Sequence, residues 1–184
     1  FEIPIVPTLD LDQLKSNPGW DYPWVFKIDD GVGCEDTHII RGPEDRDIFM
    51  KNKTKGVWLA QPLQKGETLS LSGIFHEGEG QLLSCNRQNI SQSLKGFTLH
   101  GITVNAFHDS QGLFGALLSR VAQAIPELWG FAGIDLILGA QGPMVLEINP
   151  RLTSAYPGIW AAMGWNPAAL ILDLAQNHAL PSFP

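Results

Sequence analysis

A chain of 184 residues with 12 Lys plus Arg against 19 Asp plus Glu carries a formal charge of −7, and its 44% apolar content suits one domain or two small lobes sharing a core. Charged residues make up only 17%, below the roughly 25% of an average soluble domain, and no heptad, collagen-like period or low-complexity tract occurs, which excludes coiled coil, fibre and disorder. An acidic chain with scattered Lys and Arg is a poor partner for nucleic acid or an anionic membrane, so small molecules and proteins are the expected partners.

Four prolines (Pro4, Pro7, Pro18, Pro23) punctuate residues 1–24, which predicts an extended arm with a short helix near Leu9–Lys15. No charged n-region or apolar h-region opens the chain, so no secretory signal is read there, and the missing initiator Met suggests processing or excision from something longer. Trp24–Ile28 reads as a strand leading into the glycine loop Asp29-Asp30-Gly31-Val32-Gly33. Pro43-Glu44-Asp45 starts a helix that reaches Lys51, with proline preset in the first turn and acids at the positive end of the dipole. Short strands are predicted at Val57–Leu63, Thr68–Phe75, Gln81–Cys85 and Phe97–Val104. Ser110 is the expected cap of a helix with Leu113, Leu117, Val121 and Ala124 on one face, ended by Pro126. A hairpin of Gly133–Leu138 and Met144–Asn149 follows, and Asn166 with Pro167 launches a last helix over Ala168–Gln176. The class is α+β with mostly antiparallel pairing. Cys34 and Cys85 form no CxxC pair and read as free thiols of a reducing cytosol. The most apolar stretch, Pro157 to Ala175, is broken by Asn166, Pro167 and Asp173 and is no membrane span.

The hairpin carries the strongest chemical signal. If its loop is Ala140-Gln141-Gly142, with Gly142 at positive φ, Ile137 faces Val145 and Asp135 faces Glu147; Pro143 leaves that register open by one residue. Asn149, two residues on, shares the face of Glu147. Two carboxylates with β-carbons about 4.5–5.5 Å apart repel, and the flanking residues are apolar. Protonation of one acid, a Lys or Arg from elsewhere, or a hard cation would relieve the pair. The cation also accounts for the Asn oxygen, since Mg²⁺ is commonly held by one or two carboxylates plus substrate phosphates.

Lys27 lies within an apolar strand, two residues before a loop whose Gly31 and Gly33 would let backbone N–H groups approach an anion. Asp29 and Asp30 should face solvent there. Taken alone, Gly-x-Gly reads as an ordinary hairpin turn, and no Gly-Lys-Ser/Thr follows it. In Trp58-Leu59-Ala60-Gln61-Pro62-Leu63, proline should interrupt the ladder and leave backbone groups for a flat heterocycle, while Glu67 could accept from a ribose or be an exposed acid on a turn. The five histidines (His38, His76, His100, His108, His178) show no metal-binding spacing.

Taken in order, these segments resemble the ATP-grasp superfamily of carboxylate–amine ligases. The resemblance rests on Val25 to Glu35, on Leu59-Ala60-Gln61-Pro62-Leu63 with Gly66-Glu67, and on Gly133-Ile134-Asp135 with Leu146-Glu147-Ile148-Asn149-Pro150-Arg151. It covers residues 23–158. Lys27-Ile28-Asp29 stands where the superfamily more often has Lys-Pro. Within the superfamily, Lys27–Glu35, Ser84-Cys85-Asn86-Arg87-Gln88 and Asn149-Pro150-Arg151-Leu152-Thr153-Ser154-Ala155-Tyr156 are most similar to the tyramine–glutamate ligase group of methanofuran-type cofactor biosynthesis.

The resemblance implies an ATP-grasp fold of two α+β subdomains gripping ATP. Residues 1–22 would be the arm, 23–62 a small lid subdomain with the glycine loop, and 63–184 the larger metal-binding catalytic subdomain. A preceding lobe would be missing, making the chain a fragment. Lys27 would contact ATP phosphates under the Gly31–Gly33 loop. Gln61, Pro62 and Leu63 would hold adenine, and Glu67, or Thr68 in its place, the ribose. Asp135, Glu147 and Asn149 would bind Mg²⁺, with Mn²⁺ as a substitute. Arg151 would stabilise the transferred phosphoryl group, and Arg87 would anchor a substrate carboxylate. The implied reaction makes an acyl phosphate and ADP from a carboxylate and ATP, then an amide by attack of an amine. Partners are the small-molecule acid and amine, with no nucleic acid or membrane; homo-oligomerisation is left open and the expected location is cytoplasmic. Alternatives are a ligase for another amino acid or peptide, a non-catalytic nucleotide-binding module, and a calcium-like acidic site without ATP chemistry.

Overall fold

A computed structural model describes residues 2–14, 18–94 and 96–182. The chain divides into two compact units, Val6–Lys65 with Ile90–His100, and Phe1–Ile5 with Gly66–Asn89 and Gly101–Pro184.

In the first unit, strands β1 (Leu9–Asp10), β2 (Trp24–Ile28), β3 (Thr37–Ile40) and β4 (Trp58–Pro62) form an antiparallel sheet in the order β1-β4-β2-β3. Alternation along β2 sends Trp24 and Phe26 into a core with Leu11, Ile40, Trp58 and Ala60. Phe49 of helix α1 (Pro43–Asn52) closes it edge-on to Phe26 and Trp58, at centroid distances of 5.2 and 4.9 Å. Such pairs contribute about 0.5–1.5 kcal/mol each beyond area burial. The helix expected near Leu9–Lys15 is instead the two-residue β1, paired to β4 through Leu9–Ala60 and Asp10–Leu59, and a 3-10 turn over Leu11–Gln13. Asp10 takes the Asp12 N–H at 2.8 Å and so favours a turn over a continued helix; Lys15 lies outside the described residues. Strand β3 was not read from the sequence. Its four residues follow a run of turns and are too short to show a period.

In the second unit, β5 (Glu67–His76), β6 (Glu79–Gln92), β7 (Phe97–Phe107), β8 (Gly130–Gly139) and β9 (Gly142–Asn149) form a sheet in the order β7-β6-β5-β8-β9. The far ends of β6 and β7 belong to the first unit. Helix α2 (Leu113–Ala124) packs Leu117, Leu118, Val121 and Ala122 against Leu69, Leu71, Phe75 and Leu136. A β-carbon on Gly73 or on Gly80 would lie 2.6 Å from a Leu118 methyl, so the close approach of this helix depends on both glycines. Helices α3 (Tyr156–Met163) and α4 (Pro167–Asn177) bury Ile159 and Leu174 with Ile74, Leu83 and Phe131. The α4 start matches expectation, with Asn166 accepting from Ala168 N at 3.0 Å. The α2 start does not. Asp109, not Ser110, accepts from Phe114 N and Gly115 N at 3.1 and 2.7 Å, because Gly112 at φ 68 turns these donors back toward it. Helix α3 escaped sequence reading because it opens on Tyr156-Pro157-Gly158, which reads as a turn.

Candidate active site

The opposed acids are set by the β8–β9 ladder. Asp135 pairs with Glu147 and Gly133 with Asn149, as the sequence register requires, although by a different route. Gly139 pairs with Gly142, so the loop is the two residues Ala140-Gln141 rather than three, and Ile137 faces Met144 rather than Val145. A bulge between Asp135 and Leu136 then adds one residue on β9 and restores the acid pair. Gly142 does take positive φ, at 108°.

All three expected metal ligands are half-buried. Asn149 Nδ2 donates to Glu147 Oε1 at 3.1 Å and reaches Asp135 Oδ2 at 3.4 Å, so the three side chains converge on one point. Arg151 Nη2 donates to Asn149 Oδ1 at 2.9 Å from an exposed position, and its own backbone N–H bonds the Asn149 carbonyl at 2.8 Å. Gln88 of β6 donates from Nε2 to Asp135 Oδ1 at 2.9 Å. Sequence reasoning gave Gln88 no role, and no local signal could have supplied one, because β5 separates its strand from that of Asp135. Under this group, on the same face, Asn86 is fully buried. It donates to Ser72 Oγ at 3.1 Å and accepts from Asn105 N at 3.1 Å, which gives partners to an amide that would otherwise be costly to bury.

Strand alternation places Glu67, Leu69 and Arg87 on the opposite face from Ser70, Asn86 and Asp135. Arg87 Nε donates to Glu67 Oε1 at 2.5 Å, and its guanidinium lies 4.7 Å from the Phe107 ring centre. The two residues expected to meet ribose and substrate acid thus form a pair. Thr68, the alternative ribose contact, donates its hydroxyl to the Gln88 carbonyl at 3.0 Å.

The remaining expected site residues lie in the first unit. Lys27, half-buried, shares a sheet face with Val25, Leu59 and Gln61, opposite Trp24 and Phe26. Gln61 is buried and donates to Thr8 Oγ1 at 2.8 Å. Pro62 does not interrupt the ladder as expected: it pairs with Trp24, and Leu63 donates its N–H to the Pro23 carbonyl at 3.0 Å, because proline closes the strand where its missing donor faces no partner. Gly31 and Gly33 lie in turns after β2, Gly33 at φ 65, and Asp29 and Asp30 are exposed as expected. Among the described residues no three His, Cys, Asp or Glu side chains form a metal cluster, and no helix is long and apolar enough to cross a membrane.

Residues 2–155 match the ATP-grasp domain. The chain belongs to the ATP-grasp family. It is 33% identical over 125 residues to the tyramine–L-glutamate ligase of Methanocaldococcus jannaschii, covering 67% of this chain and 38% of that protein. The chain therefore spans well under two thirds of that relative's length. Among solved structures, the L-amino acid ligase of Bacillus licheniformis superposes with a TM-score of 0.72 at 16% identity, over 95% of this chain and 43% of its own. The biotin carboxylase domain of the Hydrogenobacter thermophilus 2-oxoglutarate carboxylase, solved with MgADP and bicarbonate, gives 0.72 at 17% identity over 98% and 43%. These likenesses establish the ATP-grasp fold, here two antiparallel sheets and four α-helices among the described residues.

Proposed function

We propose that the chain carries the ATP- and metal-binding part of an ADP-forming carboxylate–amine ligase. The observation that carries this reading is the opposed pair Asp135–Glu147 with the Asn149 amide bonded to Glu147 and within reach of Asp135. Two carboxylates form a hard-oxygen donor pair that suits Mg²⁺ or Mn²⁺ completed by nucleotide phosphates, and the Asn149 amide, whose Nδ2 faces the acids and whose Oδ1 accepts from Arg151, would add its oxygen only on turning over. The bound cation supplies charge neutralisation at the phosphoryl oxygens.

The chain's own groups do the rest. Lys27 takes ATP phosphate charge, and the Gly31–Gly33 loop offers backbone N–H groups to the same phosphates. Gln61, Pro62 and Leu63 border the adenine, with the Leu63 carbonyl rather than its N–H as the backbone contact, and Glu67 meets the ribose. Arg151, one turn from Asn149, stabilises charge on the phosphoryl group as the substrate carboxylate attacks the γ-phosphorus. Arg87, paired to Glu67 on the opposite sheet face from the acids, is left out of the phosphoryl-transfer end of the site. The acyl phosphate formed with ADP is then attacked by an amine, which expels phosphate and leaves the amide. Glutamate and tyramine are the first pair to test, on the strength of the 33% identical relative.

Thermal-shift titration is the direct test of the nucleotide reading. Mg-ATP should raise the melting temperature, and absence of any shift overturns that reading. Phosphate release then tests the substrates: glutamate plus tyramine should exceed ATP alone, and equal rates overturn that pair.

A further inference from the structure

We propose that Gln88 is a positioning residue of the metal site, holding the Asp135 carboxylate so that Oδ2 faces Glu147 and Asn149; this rests on the metal reading above. The geometry has three parts. Gln88 Nε2 donates to Asp135 Oδ1 at 2.9 Å, and Oδ2 of the same carboxylate is the atom 3.4 Å from Asn149 Nδ2. Each oxygen therefore meets a partner of its own, from strands on opposite sides of β8. The backbone at Gln88 is held in the ladder, where its carbonyl also accepts the Thr68 hydroxyl of the neighbouring β5 at 3.0 Å, so the side chain starts from a set position on Asp135's face.

The division matters because an aspartate χ2 is a broad, nearly two-fold torsion. Its rotation swaps or tilts the oxygens and carries Oδ2 away from the point shared with Glu147 and Asn149. A partner on Oδ1 removes that freedom before a cation arrives, so less ordering has to accompany binding. The chemistry of the partner follows from charge. Lys or Arg at position 88 would neutralise the acid pair and compete with the cation, and another carboxylate would add repulsion. A neutral amide donates one hydrogen bond and leaves the site's negative charge intact. Outer partners of metal-ligating carboxylates typically account for about 10–100-fold in metal affinity.

The test is Mn²⁺ titration followed by the EPR signal of free Mn²⁺, with a non-hydrolysable ATP analogue present, on wild type, Gln88→Leu, Gln88→Ser, Asp135→Asn and Asn89→Ala. Both Gln88 variants should bind Mn²⁺ about 10–100-fold more weakly, while metal-free analogue binding stays at the wild-type level. Asn89→Ala, next on the strand and exposed, should match wild type. A purely structural role would lower the melting temperature without changing the Mn²⁺ affinity of the folded protein. If Asp135→Asn loses Mn²⁺ and both Gln88 variants bind within twofold of wild type, the positioning role is overturned alone. If wild type binds no Mn²⁺, or Asp135→Asn binds like wild type, the metal reading falls and takes the role of Gln88 with it.

Discussion

The β8–β9 hairpin and the glycine loop after β2 both supply expected site residues, yet they hold them by different means. On the hairpin the three candidate ligands, Asp135, Glu147 and Asn149, sit at ladder positions, and even the bulge between Asp135 and Leu136 serves to bring Asp135 opposite Glu147. In the loop, 29–36, turns replace the ladder: Gly33, Cys34 and Asp36 all have positive φ, and Asp29, Asp30, Val32, Gly33, Glu35 and Asp36 are exposed. A ladder fixes position through many shared hydrogen bonds, so the hairpin presents its acids preformed. The loop leaves the backbone open to solvent, which suits a segment that contacts a polyanion through N–H groups rather than side chains.

The comparison is broken most severely by removing the acids. On the proposed function, Asp135→Ala or Glu147→Ala should lower turnover by on the order of 10³-fold, since a bound cation contributes several kcal/mol of charge stabilisation, and should abolish the Mg-ATP thermal shift. The metal-free protein should respond in the opposite sense. Like charges directly opposite on a ladder are destabilising, so Glu147→Gln should melt at or above wild type without metal. A variant that loses both the Mg-ATP shift and several degrees of metal-free melting temperature would show that the acids hold the hairpin together instead.

Glycine substitutions sharpen the same contrast at a smaller scale. A β-carbon on Gly66, just before β5, would lie 2.5 Å from the Leu138 carbonyl oxygen and 2.7 Å from an Ile137 methyl. The neighbour is ladder backbone and cannot give way, so Gly66→Ala should cost about 1–3 kcal/mol, roughly 2–4 °C of melting temperature per kcal/mol at this size. Gly33 has nothing within 4 Å of that position, and only its φ of 65° resists a side chain. Gly33→Ala should cost about 1 kcal/mol and act mainly on nucleotide KM. Equal stability losses at the two sites, measured by urea unfolding, would mean that the loop is held as tightly as the ladder.

The same physics decided what could be read from the sequence. Asp135 and Glu147 are close in sequence and their pairing follows from alternation, so the acid pair was legible even though the assumed turn was one residue too long; bulge and shorter loop cancel. Trp24–Ile28 and the Asn166-Pro167 helix start were legible for a similar reason, since strand pattern and cap chemistry lie within a few residues. Gln88 was not, because its contact with Asp135 spans 47 residues and depends on the β6-β5-β8 order. Nor was the Glu67–Arg87 pair, which needs the β5–β6 register. The Asp109 cap was missed because its reach depends on the left-handed turn at Gly112, which composition does not reveal.

The two cysteines give the mildest probe, one in each region's setting. Cys85 is buried in the second unit's core, and burial, with the Asp109 charge adding to it, pushes its thiol up from 9.0 to about 12. Cys34 lies in the glycine loop, partly exposed. Because the thiolate is the reactive form and needs access, an aromatic disulfide reagent at pH 8 should titrate one thiol in the native protein, lost in Cys34→Ser, and a second only in denaturant. The pH dependence has a definite sign. A thiol whose folded pKa is raised binds its proton more tightly when folded, so its contribution is fully present below about pH 9 and is lost as pH climbs toward 12. Cys85→Ala should flatten the stability profile across that alkaline window while costing some packing at neutral pH. Two thiols reacting at equal rates in the native protein would mean that the sheet beside the acid hairpin opens as readily as the glycine loop, and the contrast between them would collapse.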